Sequence, residues 1–211
     1  MIVCTWCNQG ICAQSEIDRW VSKVENRYET MKDFQSGFEQ ETLLSSINKI
    51  EKGSGSVYFK KDALMLWEYK APAVQKLILD GTNLWFYLPE ENQVMKNNFS
   101  TIPRHIIIDL FRGKIEIQKK FKVSSLQRET KEQQTEIALE LLPIIYNPTM
   151  TKLTLWIDPK EYYILRTAIE DEFGNKTVLK FFNIEIDKGI DDTLFTFTPP
   201  PGVEIFEPPQ L

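Results

Sequence analysis

The chain has a single histidine, His105, and its three cysteines, Cys4, Cys7 and Cys12, all fall within the first twelve residues. A Cys/His zinc site therefore has almost no ligands to draw on, because Cys4-x-x-Cys7 supplies only half a set. No G-x-S-x-G, no H-E-x-x-H and no phosphate-cradling glycine loop is present, so the motifs of the common hydrolases and nucleotide-binding proteins are missing. No stretch approaches the roughly eighteen apolar residues of a membrane-spanning helix. Positive charge is short as well: 25 Lys and Arg stand against 30 Asp and Glu, a net charge of −5. That balance argues against nucleic acid, which demands clustered Lys and Arg. Lys119, Lys120 and Lys122 form the one basic cluster, read as a solvated strand face. The acids Glu170, Asp171 and Glu172 lie beside a turn, as a solvated loop or a weak cation site. The expectation is a protein that is not an enzyme and uses no cofactor or metal.

What the chain does have is apolar and aromatic surface. Hydrophobic residues make up 42% of its 211 residues and aromatics 12%, enough for one sizeable core. Residues 1–13 read as the remnant of a secretory signal peptide, since Ala13 puts a small residue before a cleavage point at Gln14. Residues 14–211 then form a single domain without cysteine, compatible with an oxidising compartment. Ser15, with Asp18 three residues on, is a capping-box start for a helix. Ile17, Trp20, Val21, Val24, Tyr28 and Met31 recur at helical spacing along its apolar stripe.

Residues 53–93 read as four or five short strands, broken at Ala71-Pro72, Asp80-Gly81-Thr82 and Leu88-Pro89-Glu90. Asp-Gly between apolar runs is a hairpin signal, because glycine supplies the positive φ of a tight turn. Residues 51–56, EKGSGS, read as a flexible turn leading into this meander. Beyond it the period changes. Pro103 suits a first helical turn, and Ile106, Ile107, Leu110 and Phe111 share one face before Gly113. That short helix is either a fixed plug on the sheet or a movable lid. Alternation returns at Ile137, Leu139 and Leu141 and at Leu153, Leu155 and Ile157, and Gly174-Asn175 separates two more strands. The prolines after Phe197 read as the end of strand pairing. The fold expected is mainly β with helices (α+β): an incomplete antiparallel β-barrel of about ten to eleven strands with helices across its mouth.

Parity sorts the faces of the meander. Met65, Trp67 and Tyr69 point one way and Leu64, Leu66 and Glu68 the other, and Glu68 with Lys70 marks the second side as wet. Leu77, Leu79, Leu84 and Phe86 complete the inner set. Such a wall encloses either a solid core or a hollow one, and periodicity does not separate the two.

The order of these pieces resembles a known family. F-x-x-x-F-x-Q stands at Phe34, Phe38 and Gln40, followed by the basic pair Lys60-Lys61. W-E-Y-x-x-P begins at Trp67, D-G-x-x-L-W-x-Y-x-P at Asp80, Q-V at Gln93 and F-x-F-x-P-P-x-G-V at Phe195. Each piece is weak alone, but the string is similar to that of LolA, the periplasmic carriers of outer-membrane lipoproteins. The resemblance implies a barrel that encloses acyl chains, which favours the hollow over the solid core and the lid over the plug. It implies an apolar site of Met65, Trp67, Tyr69, Leu77, Leu79, Leu84 and Phe86, and a lid carrying Ile106, Ile107, Leu110 and Phe111. Lys61 takes the place of an arginine that in the family ties barrel to lid and lets go when cargo enters. Lysine lacks the planar fork of arginine, Asp62 replaces the family's proline, and Met65 replaces an aromatic residue. The implied partners are acylated lipoproteins, an inner-membrane ATP-driven release complex and an outer-membrane receptor, with the chain a monomer in the periplasm. The alternative is a lipid-sensing or receptor domain of the same fold, LolB-like or regulatory, that holds a lipid or protein without ferrying it. A LolB-like receptor has a lipid-anchored cysteine, and the residues before Cys12 do not suit one.

Overall fold

The computed structural model describes residues 9–61, 63–99, 109, 116–131 and 134–207. Helix α1 (Gln9–Thr30) leads the chain. It already runs through Ser15, which is therefore not its cap. Asp18 accepts a hydrogen bond from Gln14 Nε2 at 2.9 Å, an i,i+4 side-chain pair in place of a capping box. The apolar stripe lies where its spacing puts it: Trp20, Val21, Val24, Tyr28 and Met31 are all buried, and Ile17 packs beside them.

The strands are β1 (Asp33–Leu44), β2 (Lys49–Lys60), β3 (Leu64–Ala71), β4 (Gln75–Asp80), β5 (Asn83–Leu88), β6 (Gln93–Asn98), β7 (Phe121–Lys131), β8 (Gln134–Pro143), β9 (Lys152–Ile157), β10 (Ile164–Glu170), β11 (Lys176–Ile186) and β12 (Glu204–Phe206). One helical turn, α2 (Ile117–Lys120), precedes β7. All twelve strands belong to one open sheet in the order β12-β6-β5-β4-β3-β2-β1-β11-β10-β9-β8-β7. The sheet is not a closed barrel, since β12 and β7 are its two edges. Neighbours are antiparallel except β12, which pairs parallel with β6. That last pairing corrects the reading of the prolines as a stop. Asn92 Nδ2 donates to Gly202 O at 2.9 Å and Glu204 N to Asn92 O at 3.0 Å, so the chain is caught again just past them.

Residues 51–56 are likewise no turn. They lie inside β2, where Gly53 faces Gln40 and Gly55 faces Phe38 on β1. Their glycines serve close approach. A Cβ on Gly55 would sit 1.9 Å from the Glu68 carbonyl oxygen and 3.0 Å from the Phe38 ring, and one on Gly53 would sit 3.2 Å from the Tyr69 ring. Bare backbone here lets large side chains from the flanking strands lean over β2.

One hydrophobic cluster joins α1 to residues of β1–β4 and β7–β11, so the sheet wraps the helix with a single inner face. Ile164 N–H donates to the Tyr28 hydroxyl oxygen at 3.0 Å, fastening α1 to β10, and burial pushes that phenol well above its ordinary pKa. The outer face is not simply wet. Leu66, Ile78, Ile190 and Phe195 form a second cluster, with Tyr58, Trp85 and Phe197 packed on it. The C-terminal segment covers the outside of β2–β5, which explains why Trp85 and Tyr87 are as apolar as their inward neighbours. The Phe197 ring lies 5.6 Å from Trp85 and 5.3 Å from Tyr87. Lys60 pins this segment by donating to Ile190 O at 2.7 Å and to the Asp192 carboxylate.

Of the basic cluster, Lys122 is exposed on β7 as a strand face, while the other two depart from it. Lys119 and Lys120 lie in α2, Lys119 pairing with Glu116 at 2.6 Å and Lys120 with the buried Asp109 at 2.7 Å. The acidic run is spent on local partners. Glu170 pairs with Lys152 at 2.9 Å and Lys176 at 3.1 Å, Asp171 accepts from the Phe173 and Asn175 backbone N–H groups, and Glu172 accepts from the Tyr146 hydroxyl. Among the described residues no group of acids, histidines or cysteines is placed to hold a metal ion.

Candidate ligand cavity

Because strands alternate in direction, the loops at residues 45–48, 72–74, 144–151 and 171–175 gather at one end of the sheet. From that end a cavity of about 1200 Å³ enters along the inner face. Its deep wall is built by β3, β4 and β5. Met65, Trp67 and Tyr69 face it from β3, Leu77 from β4, and Leu84 and Phe86 from β5. Register accounts for the convergence: Trp67 is opposite Leu77 and Leu77 is opposite Phe86, so their side chains stand in one row. Across the hollow, Ile169 on β10 and Leu179 on β11 form the facing wall with Met150.

An aromatic group underlies the floor. The Phe38 ring lies 4.9 Å from Trp67 and 5.0 Å, edge to face, from Tyr69, and Trp67 lies 6.4 Å from Phe181. Polar side chains occur on the inner surface only in places. Tyr69 O–H donates to Gln40 Oε1 at 2.8 Å. Burial raises the Tyr69 pKa, tempered by the nearby Trp67 indole, and among the described residues that indole N–H has no hydrogen-bond acceptor. Toward the loops the lining turns charged and polar, with Lys49, Glu51, Lys52 and Asn147. Lys49 is paired with Glu51 at 2.8 Å and Lys52 with Glu41 at 2.7 Å, so the mouth is polar but nearly neutral.

Six of the seven residues assigned by parity therefore come together on this cavity: Met65, Trp67, Tyr69, Leu77, Leu84 and Phe86. Leu79 does not. It points the same way and stands between Met65 and Leu84 in register, but its side chain is fully covered by core packing and does not reach the hollow. Lys61 lies at the opposite end of the sheet, exposed, its backbone N–H donating to Lys32 O at 2.9 Å, and its side chain has no partner among the described residues. The lid residues Ile106, Ile107, Leu110 and Phe111, with His105 and Asp62, lie outside the described residues, as do Cys4 and Cys7. Gln40, Thr42, Thr177, Ile169, Met150 and Leu179 were not foreseen as lining. Parity within β1 could have found two of them, since Gln40 and Thr42 share the face of Phe38.

Comparison with known proteins then decides the family. The family described as "Outer membrane lipoprotein carrier protein LolA" matches residues 29–198 of the 211. The chain belongs to the LolA family. Its LolA-type relatives include an outer-membrane lipoprotein carrier protein of Alcanivorax borkumensis, 26% identical over 185 residues covering 87% of this chain and 86% of that one. Another, from Nitrosomonas europaea, is 29% identical over 82% of this chain and 81% of its own length. Among solved structures, an uncharacterized conserved protein of Thermus thermophilus superposes with a TM-score of 0.61 at 14% identity, covering 91% of this chain and 99% of that one. LprF from Mycobacterium bovis gives 0.50 at 11% identity over 84% and 95%. These two likenesses show that the fold is shared with these proteins. Among the described residues, no helix of this LolA-family chain is long and apolar enough to cross a membrane.

Proposed function

We propose that this chain is a periplasmic carrier that takes the acyl chains of lipoproteins into its cavity and moves them from the inner toward the outer membrane. The observation that carries this reading is the hollow itself. At about 1200 Å³ it exceeds the roughly 300–1,000 Å³ of ordinary small-molecule sites, and its deep wall is aliphatic and aromatic. An apolar cavity of that size has no use for a small polar substrate. Hydrocarbon chains match it, and a near-neutral polar mouth suits the peptide that follows them.

Energetics set how such a carrier works. Each buried CH₂ gains roughly 0.8 kcal/mol, so a sixteen-carbon chain gains on the order of 13 kcal/mol on leaving water. A bilayer offers the same gain. The carrier therefore shields cargo from water while gaining little over membrane, and direction comes from its partners. An ATP-driven inner-membrane complex loads it and an outer-membrane receptor with a better site empties it, the protein acting as a monomer without catalytic chemistry. The lid role falls to the apolar segment of residues 104–112 and the latch role to Lys61.

The test is mass spectrometry of protein purified from periplasm under native conditions. Co-purifying acylated lipoprotein is the expected result. A preparation that carries only free phospholipid, or a stoichiometric non-acylated protein partner, would favour the sensing domain and overturn the carrier.

A further inference from the structure

The cavity wall carries one continuous polar line. Tyr69 O–H donates to Gln40 Oε1 at 2.8 Å, Gln40 Nε2 donates to Thr42 Oγ1 at 3.2 Å, and Thr42 Oγ1 lies 3.2 Å from Thr177 Oγ1. All four side chains line the hollow. The line crosses from β3 over β2 to β1 and on to β11, and it exists because β2 offers no side chain there. Gly53 lies beside Gln40, and a Cβ on it would press against the Tyr69 ring. Thr42 and Thr177 are directly opposite in register.

The line has donors left over. A glutamine amide has two N–H hydrogens, and among the described residues only one of Gln40's is used. The two threonine hydroxyls share a single hydrogen between them, so the hydrogen of the accepting one remains unspent. Both spare donors belong to side chains on the cavity surface, at a fixed depth. Further in, the same strands present Phe38, Met65 and Trp67; at the level of the line β2 presents Glu51, opposite Thr42, and one step toward the loops Ile50. Spare donors beside a hydrocarbon chamber suit acceptors that a lipid carries in without a buried charge, and carbonyl oxygens are such acceptors.

We infer that this line is a subsite for the ester or amide carbonyls that join acyl chains to their head group, fixing how deep the chains enter. The inference rests on the carrier reading above and names the part of the ligand that is recognised by hydrogen bonds. A wholly hydrocarbon ligand, or one whose carbonyls are replaced by ether oxygens, leaves the donors without strong acceptors.

The test compares two synthetic lipopeptides, an S-(2,3-diacyloxypropyl)cysteinyl peptide with palmitoyl esters and its analogue with hexadecyl ethers, each competing with N-phenylnaphthylamine for the purified full chain. Hydrophobicity alone favours the ether, because its linkage is less hydrated. The subsite reverses that order: wild type should bind the ester about three- to tenfold more tightly, the range of one or two net hydrogen bonds. In Gln40→Leu, and separately in Thr42→Val/Thr177→Val, the ratio of ester to ether affinity should fall to one or below. A ¹³C-labelled ester carbonyl should shift to lower infrared frequency on binding wild type, a readout that needs no variant. Equal binding of both lipopeptides by wild type, or an ester preference that survives both variants, would overturn the subsite and leave the carrier standing. Displacement of the dye by neither lipopeptide would overturn the carrier, and the subsite with it.

Discussion

Leu79 and Phe86 are inward-facing neighbours on adjacent strands, and replacing each by alanine distinguishes a hollow from a filled core. Leu79 is fully buried and packed against Met65. Leu79→Ala deletes buried atoms and leaves a void that rigid neighbours cannot close, at a cost of about 3 kcal/mol. In a chain of this size that corresponds to a fall in Tm of about 6–12 °C. Phe86 is larger, and in a solid core its truncation would cost about 3–5 kcal/mol. Its side chain, however, is only half-buried and lines the cavity, so on that side it has no packed partner to lose. Phe86→Ala should therefore cost no more than about 1.5 kcal/mol, less than Leu79→Ala despite removing more carbon. Urea midpoints at constant m-value measure both, and N-phenylnaphthylamine binding should persist in Phe86→Ala. A loss in Phe86→Ala equal to or above that in Leu79→Ala would mean that the space beside Phe86 is filled, and the reasoning would fail.

Gly55→Ala drives a methyl group to within 1.9 Å of the Glu68 carbonyl; forcing β2 and β3 apart should cost at least about 1–3 kcal/mol, and a variant as stable as the parent would refute the close-approach account. Burial opposes ionisation of Glu170, but hydrogen bonds from Lys152 and Lys176 outweigh it and hold the carboxyl below the ordinary glutamate value. A carboxyl depressed on folding stabilises the fold above its unfolded pKa and loses that contribution as pH falls through the folded value. Glu170→Gln should accordingly be less stable than the parent near neutrality, with the gap closing as pH drops below about 4; a gap independent of pH would contradict the pairing. If Lys61 is the latch, Lys61→Leu should retain lipoprotein and pass it on more slowly while Lys61→Arg transfers normally, and equal transfer by all three proteins would remove that role.

Most of this architecture is legible because period-two alternation and helical spacing are strong where one face is buried. The α1 stripe and the inner rows of β3, β8 and β9 follow directly from their apolar residues. Where sequence and structure differ there is one cause: local chemistry points one way and a distant partner decides. The Gly-Ser run of β2 has the composition of a turn, yet its glycines answer to Phe38, Tyr69 and the Glu68 carbonyl on other strands. The prolines near the C-terminus stop pairing locally, but Asn92 recaptures the chain beyond them. Leu66 and Trp85 lie on the outer face, and only the folded position of residues 190–197 accounts for their burial. The cavity was legible in half. Parity found the β3–β5 wall, whereas the opposite wall depends on how the sheet curls, which no strand encodes alone. Leu79 shares the inward direction with Met65 and Leu84, but its neighbours cover it completely, and parity gives direction and not packing.

The central claim is that acyl chains are what this cavity holds, and one comparison tests it most directly. The purified protein is mixed with a detergent-free lipoprotein in its acylated form and, separately, with the same polypeptide whose lipid-bearing cysteine is replaced by serine, and each mixture is run on gel filtration. The account predicts a soluble one-to-one complex with the acylated form and none with the other, and loss of dye binding in step with complex formation. A complex of equal strength with the unacylated polypeptide, or aggregation of the acylated form untouched by the carrier, would contradict it.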